Sequence, residues 1–366
     1  MKFPYAGVPG YQVWARAMAD RPDGFVNPAN AGRFVIDRGT RISSAGSCFA
    51  QRIAERLRDA SYSYFVTEPG PMWESPASLA ARNYGAYSAR FGDIYTTLQL
   101  LQLTQRAVGR FLPTEPPWVA KGRFHDPFRP RVEPDGFASQ AALETDREQH
   151  LAAVRGMLTD SEVFVFTLGL TETWCCVADG AALPLCPGAG LGTFDSAQYE
   201  FRNLSVDENV RYLEEFLEIA RALNPELRVI LTVSPVPLAA TYEPRHAVQS
   251  TCLSKSVLRV AADEISRRHE FVDYFPSYEI VMGYDGEDGF EADRRTVRSS
   301  AVDRVMRSFF RAYASDFKLP VAQLLSDVTI VKPEKDVCDE VHFARFLDEQ
   351  AASADIAEAS PAEATG

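Results

Sequence analysis

Two short runs limit what this chain can fold into. Val163-Phe164-Val165-Phe166-Thr167-Leu168-Gly169 and Arg228-Val229-Ile230-Leu231-Thr232-Val233 are almost wholly apolar and do not alternate with polar residues. A strand with one wet face alternates, so runs like these belong to a parallel sheet covered by helices on both faces. Between them, residues 206–223 carry apolar side chains at helical spacing and close on Asn224-Pro225. Upstream, residues 42–45 form a short strand-compatible run, and Phe49, Ile53 and Leu57 then share one helical face. Downstream come a helix over 252–269, a strand over 271–275 and an amphipathic helix over 302–314. Strand and helix in alternation predict a doubly wound α/β sheet.

The connecting segments are less regular. Residues 1–38 are rich in Gly, Pro and Asn and read as an irregular arm. Residues 62–67 read as a second strand, 70–76 as loop, 94–108 and 141–158 as helices. Residues 109–139 hold Pro113, Pro116, Pro117, Pro127, Pro130 and Pro134, too many for long regular structure. An irregular insertion of that length is a functional segment or a lid. One large domain over 39–318 is expected, then an extension over 319–349 and a disordered tail over 350–366, where Ala, Glu, Ser, Pro and Thr dominate.

Composition excludes more than it assigns. The net charge is −12 and there is no concentrated basic block, which argues against nucleic acid as a partner. Six cysteines form no C-x-x-C pair in a 366-residue chain, so neither a disulfide framework nor a metal site is expected. No glycine-rich phosphate cradle and no cofactor are implied. With no basic, apolar leader and no membrane-length apolar stretch, the expectation is a cytoplasmic protein that does not span a membrane.

Open parallel sheets gather ligands at the carboxyl ends of their strands. Three turns there carry small or hydroxyl residues. Gly46-Ser47-Cys48 offers a nucleophile beside a helix N-terminus, where unpaired N–H groups hold an oxyanion. Its plain alternative is a glycine turn with a serine cap and a buried cysteine. Gly169-Leu170-Thr171-Glu172 offers a donor and a carboxylate. The segment from Ser234 to Lys255 offers His246.

Gly46-Ser47-Cys48-Phe49-Ala50 spells the GSCFA signature. Ala89-Arg90-Phe91-Gly92-Asp93-Ile94-Tyr95-Thr96, Asp126-Pro127-Phe128-Arg129-Pro130, Phe166 to Trp174, Leu231 to Leu238, Ser254 to Arg259 and Tyr274 to Ile280 follow in the family's order. The chain resembles the GSCFA family over about residues 40–312, and that family is similar to the SGNH hydrolases. The resemblance implies an SGNH-hydrolase-like (flavodoxin-like) three-layer α/β/α fold with a parallel sheet. It also implies an esterase or acyltransferase acting on an acyl ester, often glycan-linked, through a covalent acyl-enzyme. Cys48, with Ser47 as the alternative, takes the nucleophile position. The N–H groups of Cys48 and Gly92 become arms of an oxyanion hole, with Thr171 as the third.

The sequence departs from the superfamily where Asp-x-x-His supplies the base. Ala292-Asp293-Arg294-Arg295-Thr296 has the aspartate and no histidine. The expected triad is therefore Cys48 with His246 as base, oriented by Asp293 or Glu172. Glu172, Ser234, Lys255 and Arg295 are the expected substrate contacts. Lys255 reads otherwise as a solvated lysine at a helix start. His125 reads as a loop hydrogen-bonder, His150, His269 and His342 as solvent-facing, and Asp126 with Arg129 as a structural ion pair. The missing histidine favours a rival reading, a catalytically impaired protein that binds a glycan or acyl carrier. A third is a transferase taking an activated sugar or sulfate donor on Arg295 and Lys255.

Overall fold

Every residue of the run Val163–Leu168 is buried, as the sequence predicts. The computed structural model describes residues 7–21, 24–283 and 288–316, together with 343, 346 and 349. Of the extension and tail expected after 318, all but those last three residues lie outside this set, as does His342.

Along the chain run α1 (Trp14–Ala19), β1 (Ile42–Ala45), α2 (Cys48–Asp59), α3 (Pro76–Ala81) and α4 (Thr97–Ala107). The insertion holds β2 (Trp118–Ala120) and β3 (Arg123–His125) and leads into α5 (Gln140–Asp160). Next come β4 (Val163–Leu168), β5 (Glu172–Cys176), β6 (Ala182–Leu183), β7 (Tyr199–Asn203), α6 (Val206–Leu223) and β8 (Arg228–Val233). The described chain then passes through α7 (Ala247–Arg268), β9 (Val272–Phe275), α8 (Ser277–Met282) and α9 (Ser299–Tyr313).

Among the described residues, the central sheet is parallel, in the order β1-β4-β8-β9. Its registers align Ala45 with Phe166, Phe166 with Leu231, and Leu231 with Tyr274. Successive side chains of a strand point to opposite faces. Phe164, Phe166 and Leu231 accordingly pack with Leu98, Val154, Phe216 and Leu258 from α4 to α7. Val163, Val165 and Ile230 pack on the other side with Ile53, Val281 and Phe309 from α2, α8 and α9. The result is the expected three-layer α/β/α sandwich, whose strands end together at one carboxyl edge.

Four expectations need correction. Residues 62–67 are not a strand: only Tyr64 bridges Ile42, because the next β1 amide, Ser44 N–H, donates instead to Ser88 Oγ at 3.0 Å. α7 starts at Ala247, five residues before the expected position, with the His246 ring accepting the Val248 N–H as its cap. Lys255 is therefore well inside that helix, and buried. His150 is fully buried, with Nδ1 2.7 Å from Glu68 Oε2.

An antiparallel sheet, β6-β5-β7, also stands beyond the carboxyl edge, in a stretch whose sequence carries little strand alternation. The proline-rich insertion is fastened by buried charge. Asp126 and Arg129 form the expected pair at 3.0 Å, Arg147 adds a contact to Asp126 at 2.9 Å, and Asp146 on α5 binds both Arg129 and Arg90 at 2.8 Å. No helix among the described residues is long and apolar enough to cross a membrane.

Candidate functional site

The turn after β1 is fixed by its glycine. Gly46 has φ +149°, and a Cβ there would stand 2.8 Å from the Ala50 and Thr167 Cβ atoms and 2.9 Å from Thr167 O. Only glycine lets α2 start this close to β4. Gly46 O also accepts the Ile94 N–H at 2.8 Å, which ties the segment carrying Gly92 to the same turn.

Ser47 occupies the N-cap position of α2 in extended conformation, and Cys48 is the first helical residue. Ser47 is 3% exposed, whereas Cys48 is half-buried and opens into a cleft. Arg52, Val236, Arg295, Thr296 and Val297 line that cleft with it. Ala50 and Gln51 donate their amides to Ser47 O, so the first-turn N–H groups of Cys48 and Phe49 are the ones a helix start leaves available.

Asp293 is exposed and is hydrogen-bonded to two residues of this cleft. It accepts the Arg295 N–H at 2.9 Å, the Thr296 N–H at 2.8 Å and the Thr296 hydroxyl at 2.5 Å. Partial desolvation opposes its ionisation, but these bonds outweigh it and hold the carboxyl below its usual range. Thr296, three residues after Asp293, is the residue where the resemblance led a histidine to be sought.

The other expected residues fall elsewhere along the carboxyl edge. His246 is exposed, with its Nδ1 accepting from Val248 N–H, and is not among the residues lining the Cys48 cleft. Gly92, at φ +70°, faces a separate recess with Gln51, Tyr87 and Arg129. Thr171 is buried and donates its hydroxyl to Asn203 Oδ1 at 2.7 Å, while Ser254 Oγ accepts its N–H. Ser234 donates its N–H to Leu168 O and accepts that of Val236. Lys255 is 1% exposed and donates from Nζ to Gly169 O at 2.7 Å.

Glu172 accepts the Thr241 hydroxyl at 2.6 Å and the Tyr242 N–H at 3.2 Å. Burial raises its pKa, against the pull of those two bonds. It lies on the rim of a cavity of about 480 Å³ between the second sheet and the 238–242 strap. Val236 lines the Cys48 cleft and Leu238 lines this cavity. Two residues of chain span at most about 7 Å, so the two spaces are neighbours.

The sequence offered no direct sign of that cavity. Its walls come from many separate segments between Tyr95 and Phe346, and its one local signal is the aromatic content of 194–201 and Trp174.

The model of the GSCFA family matches residues 41–309, well over half of the chain. The chain belongs to the GSCFA family. No curated protein matches it significantly. Among solved structures, this GSCFA chain is similar to the crystal structure of a carbohydrate esterase family 3 from Talaromyces cellulolyticus, at 14% identity and a TM-score of 0.27. That alignment covers 64% of the GSCFA chain and 93% of the other. At that score the likeness carries no argument about activity.

Proposed function

We propose that this GSCFA chain is an acyl-ester hydrolase or acyltransferase that forms an acyl-thioester on Cys48. The observation that carries the reading is the contrast within the turn: the Cys48 thiol opens into a cleft, while the Ser47 hydroxyl is buried. Cysteine is also the nucleophile least dependent on a neighbouring base, which suits a cleft walled by Arg52, Arg295 and Thr296.

In the proposed step Cys48 Sγ bonds to the acyl carbon, the ester C–O bond breaks, and the alcohol leaves with the thiol's proton. Water or an acceptor hydroxyl then takes the acyl group and returns a proton to sulfur. The N–H groups at the α2 start are the proposed oxyanion donors. Arg295 is the proposed contact for the alcohol portion.

A second reading, binding without turnover, is favoured by Thr296 in the place of the histidine. Ester cleavage by wild type, Cys48→Ala and Ser47→Ala separates the two. Loss in Cys48→Ala with retention in Ser47→Ala is expected. Equal rates in all three would sink the nucleophile assignment.

A further inference from the structure

We propose that the cavity beside the 238–242 strap is the acyl site of this protein, and that it takes an uncharged, apolar acyl chain of roughly ten carbons. The inference rests on the Cys48 reading for its catalytic meaning, but the cavity itself stands on its own geometry.

Three features select that ligand. The first is size. About 480 Å³ falls within the usual range for small-molecule sites. Taking a methylene as about the volume of a water, roughly 30 Å³, an extended chain of about ten carbons fits with ordinary slack.

The second is the wall. Leu170, Leu183, Pro184, Leu185 and Leu238 supply aliphatic surface, with Phe343 and Phe346 added from the C-terminal part. Trp174 is already enclosed by Phe194, Phe201 and Tyr242, at centroid distances of 5.1, 5.7 and 4.9 Å and steep interplanar angles. Those rings pack edge-to-face on one another as well as lining the cavity, and they add apolar surface to its wall.

The third is charge. No Arg, Lys or His is among the described residues that line the cavity. Glu172, its carboxylate, already has both oxygens hydrogen-bonded by Thr241 and Tyr242. Burial pushes the Cys186 thiol in the wall up to about 11, so near neutral pH it is an uncharged surface. Among the described lining residues an anionic head group finds no cationic partner, and both oxygens of the Glu172 carboxylate are already hydrogen-bonded. Val236 of the Cys48 cleft and Leu238 of this cavity are two residues apart, which sets the two spaces side by side.

The test uses Cys48→Ala protein, so that binding is read without chemistry. N-alkanoyl-N-methylglucamides of six to ten carbons, below their micelle concentrations, are titrated by calorimetry. Affinity is expected to rise about four-fold per methylene, the fold-change equivalent of about 0.8 kcal/mol for burying each CH2. A trimethylammonium-tipped chain of equal length should bind more weakly. Ala240→Trp, which fills the cavity from its half-buried strap, should abolish the dependence on chain length, and Ala239→Phe serves if that variant does not fold.

Affinity independent of chain length, tighter binding of the cationic chain, or an unchanged slope in the filled variant would each overturn the acyl site. If the slope appears while wild type never acquires an acyl group, the cavity stands and the Cys48 reading fails. If wild-type Cys48 acquires an acyl group and the slope is absent, the Cys48 reading stands and the acyl site fails.

Discussion

Thr296, on the wall of the Cys48 cleft, donates its hydroxyl to Asp293 Oδ2 at 2.5 Å. An aspartate and its partner at i+3 are thus joined as in an acid–base pair, but the partner cannot take a proton from a thiol. Thr296→His is expected to restore that function. A positioned general base is worth about 100-fold or more, so ester cleavage should rise by about that factor, with a new dependence on pH near the histidine pKa. Unchanged turnover in a folded Thr296→His protein would mean that the base comes from elsewhere.

The same relationship makes the choice of nucleophile testable. A serine hydroxyl needs a base far more than a thiol does. Cys48→Ser alone should therefore lose about 100-fold or more in turnover. Cys48→Ser combined with Thr296→His should recover much of it. Steady-state rates for the four proteins of that cycle, compared at one pH, check the coupling.

Gly46→Ala should weaken the fold itself. The added Cβ meets Thr167 and Ala50 below 3.0 Å, at a φ of +149° that L-residues rarely adopt. Overpacking and backbone strain each cost on the order of 1–3 kcal/mol. A loss of about 3 kcal/mol in urea unfolding is expected, against about 1 kcal/mol for Gly85→Ala, whose Cβ enters open space and meets only the backbone strain of φ +71°.

Acid should destabilise the protein through His150 before its carboxylates titrate. Complete burial lowers the His150 pKa to about 4, and nearby Arg129 adds to this, although the Glu68 contact opposes it. The unfolded chain then binds this proton near pH 6.5 while the native one refuses it until about pH 4. The stability is present above about 6.5 and is lost as pH falls towards 4. The expected loss is about 3 kcal/mol, at about 1.4 kcal/mol for each pH unit by which the pKa is moved. Urea unfolding between pH 7 and pH 4 should show this slope, and His150→Asn should flatten it.

Much of this architecture was legible because its signals are local. The β8 run matches its strand residue for residue and the β4 run but for its closing Gly169, and α6 runs from 206 to 223 as its apolar spacing requires, closed at its start by the Ser205–Glu208 capping box. The family resemblance singled out Cys48 and Arg295, which line one cleft, but not the Thr296 beside them. What failed depends on distant partners. The hydrogen-bond partner of the buried His150 is Glu68, 82 residues away. The hydroxyl of Thr171 is taken by Asn203, on a strand with little alternation. His246 invited a catalytic reading, yet its imidazole caps α7, a task usually performed by Ser, Thr, Asp or Asn.

The central claim is an acyl-thioester on Cys48, and peptide mapping after a short incubation with an activated acyl ester tests it most directly. The tryptic peptide 42–52 contains Cys48 together with Ser43, Ser44 and Ser47. The account predicts the acyl mass on that peptide, removed by neutral hydroxylamine as a thioester is, and absent from Cys48→Ala. A hydroxylamine-resistant adduct on the peptide, or the same adduct persisting in Cys48→Ala, would contradict it.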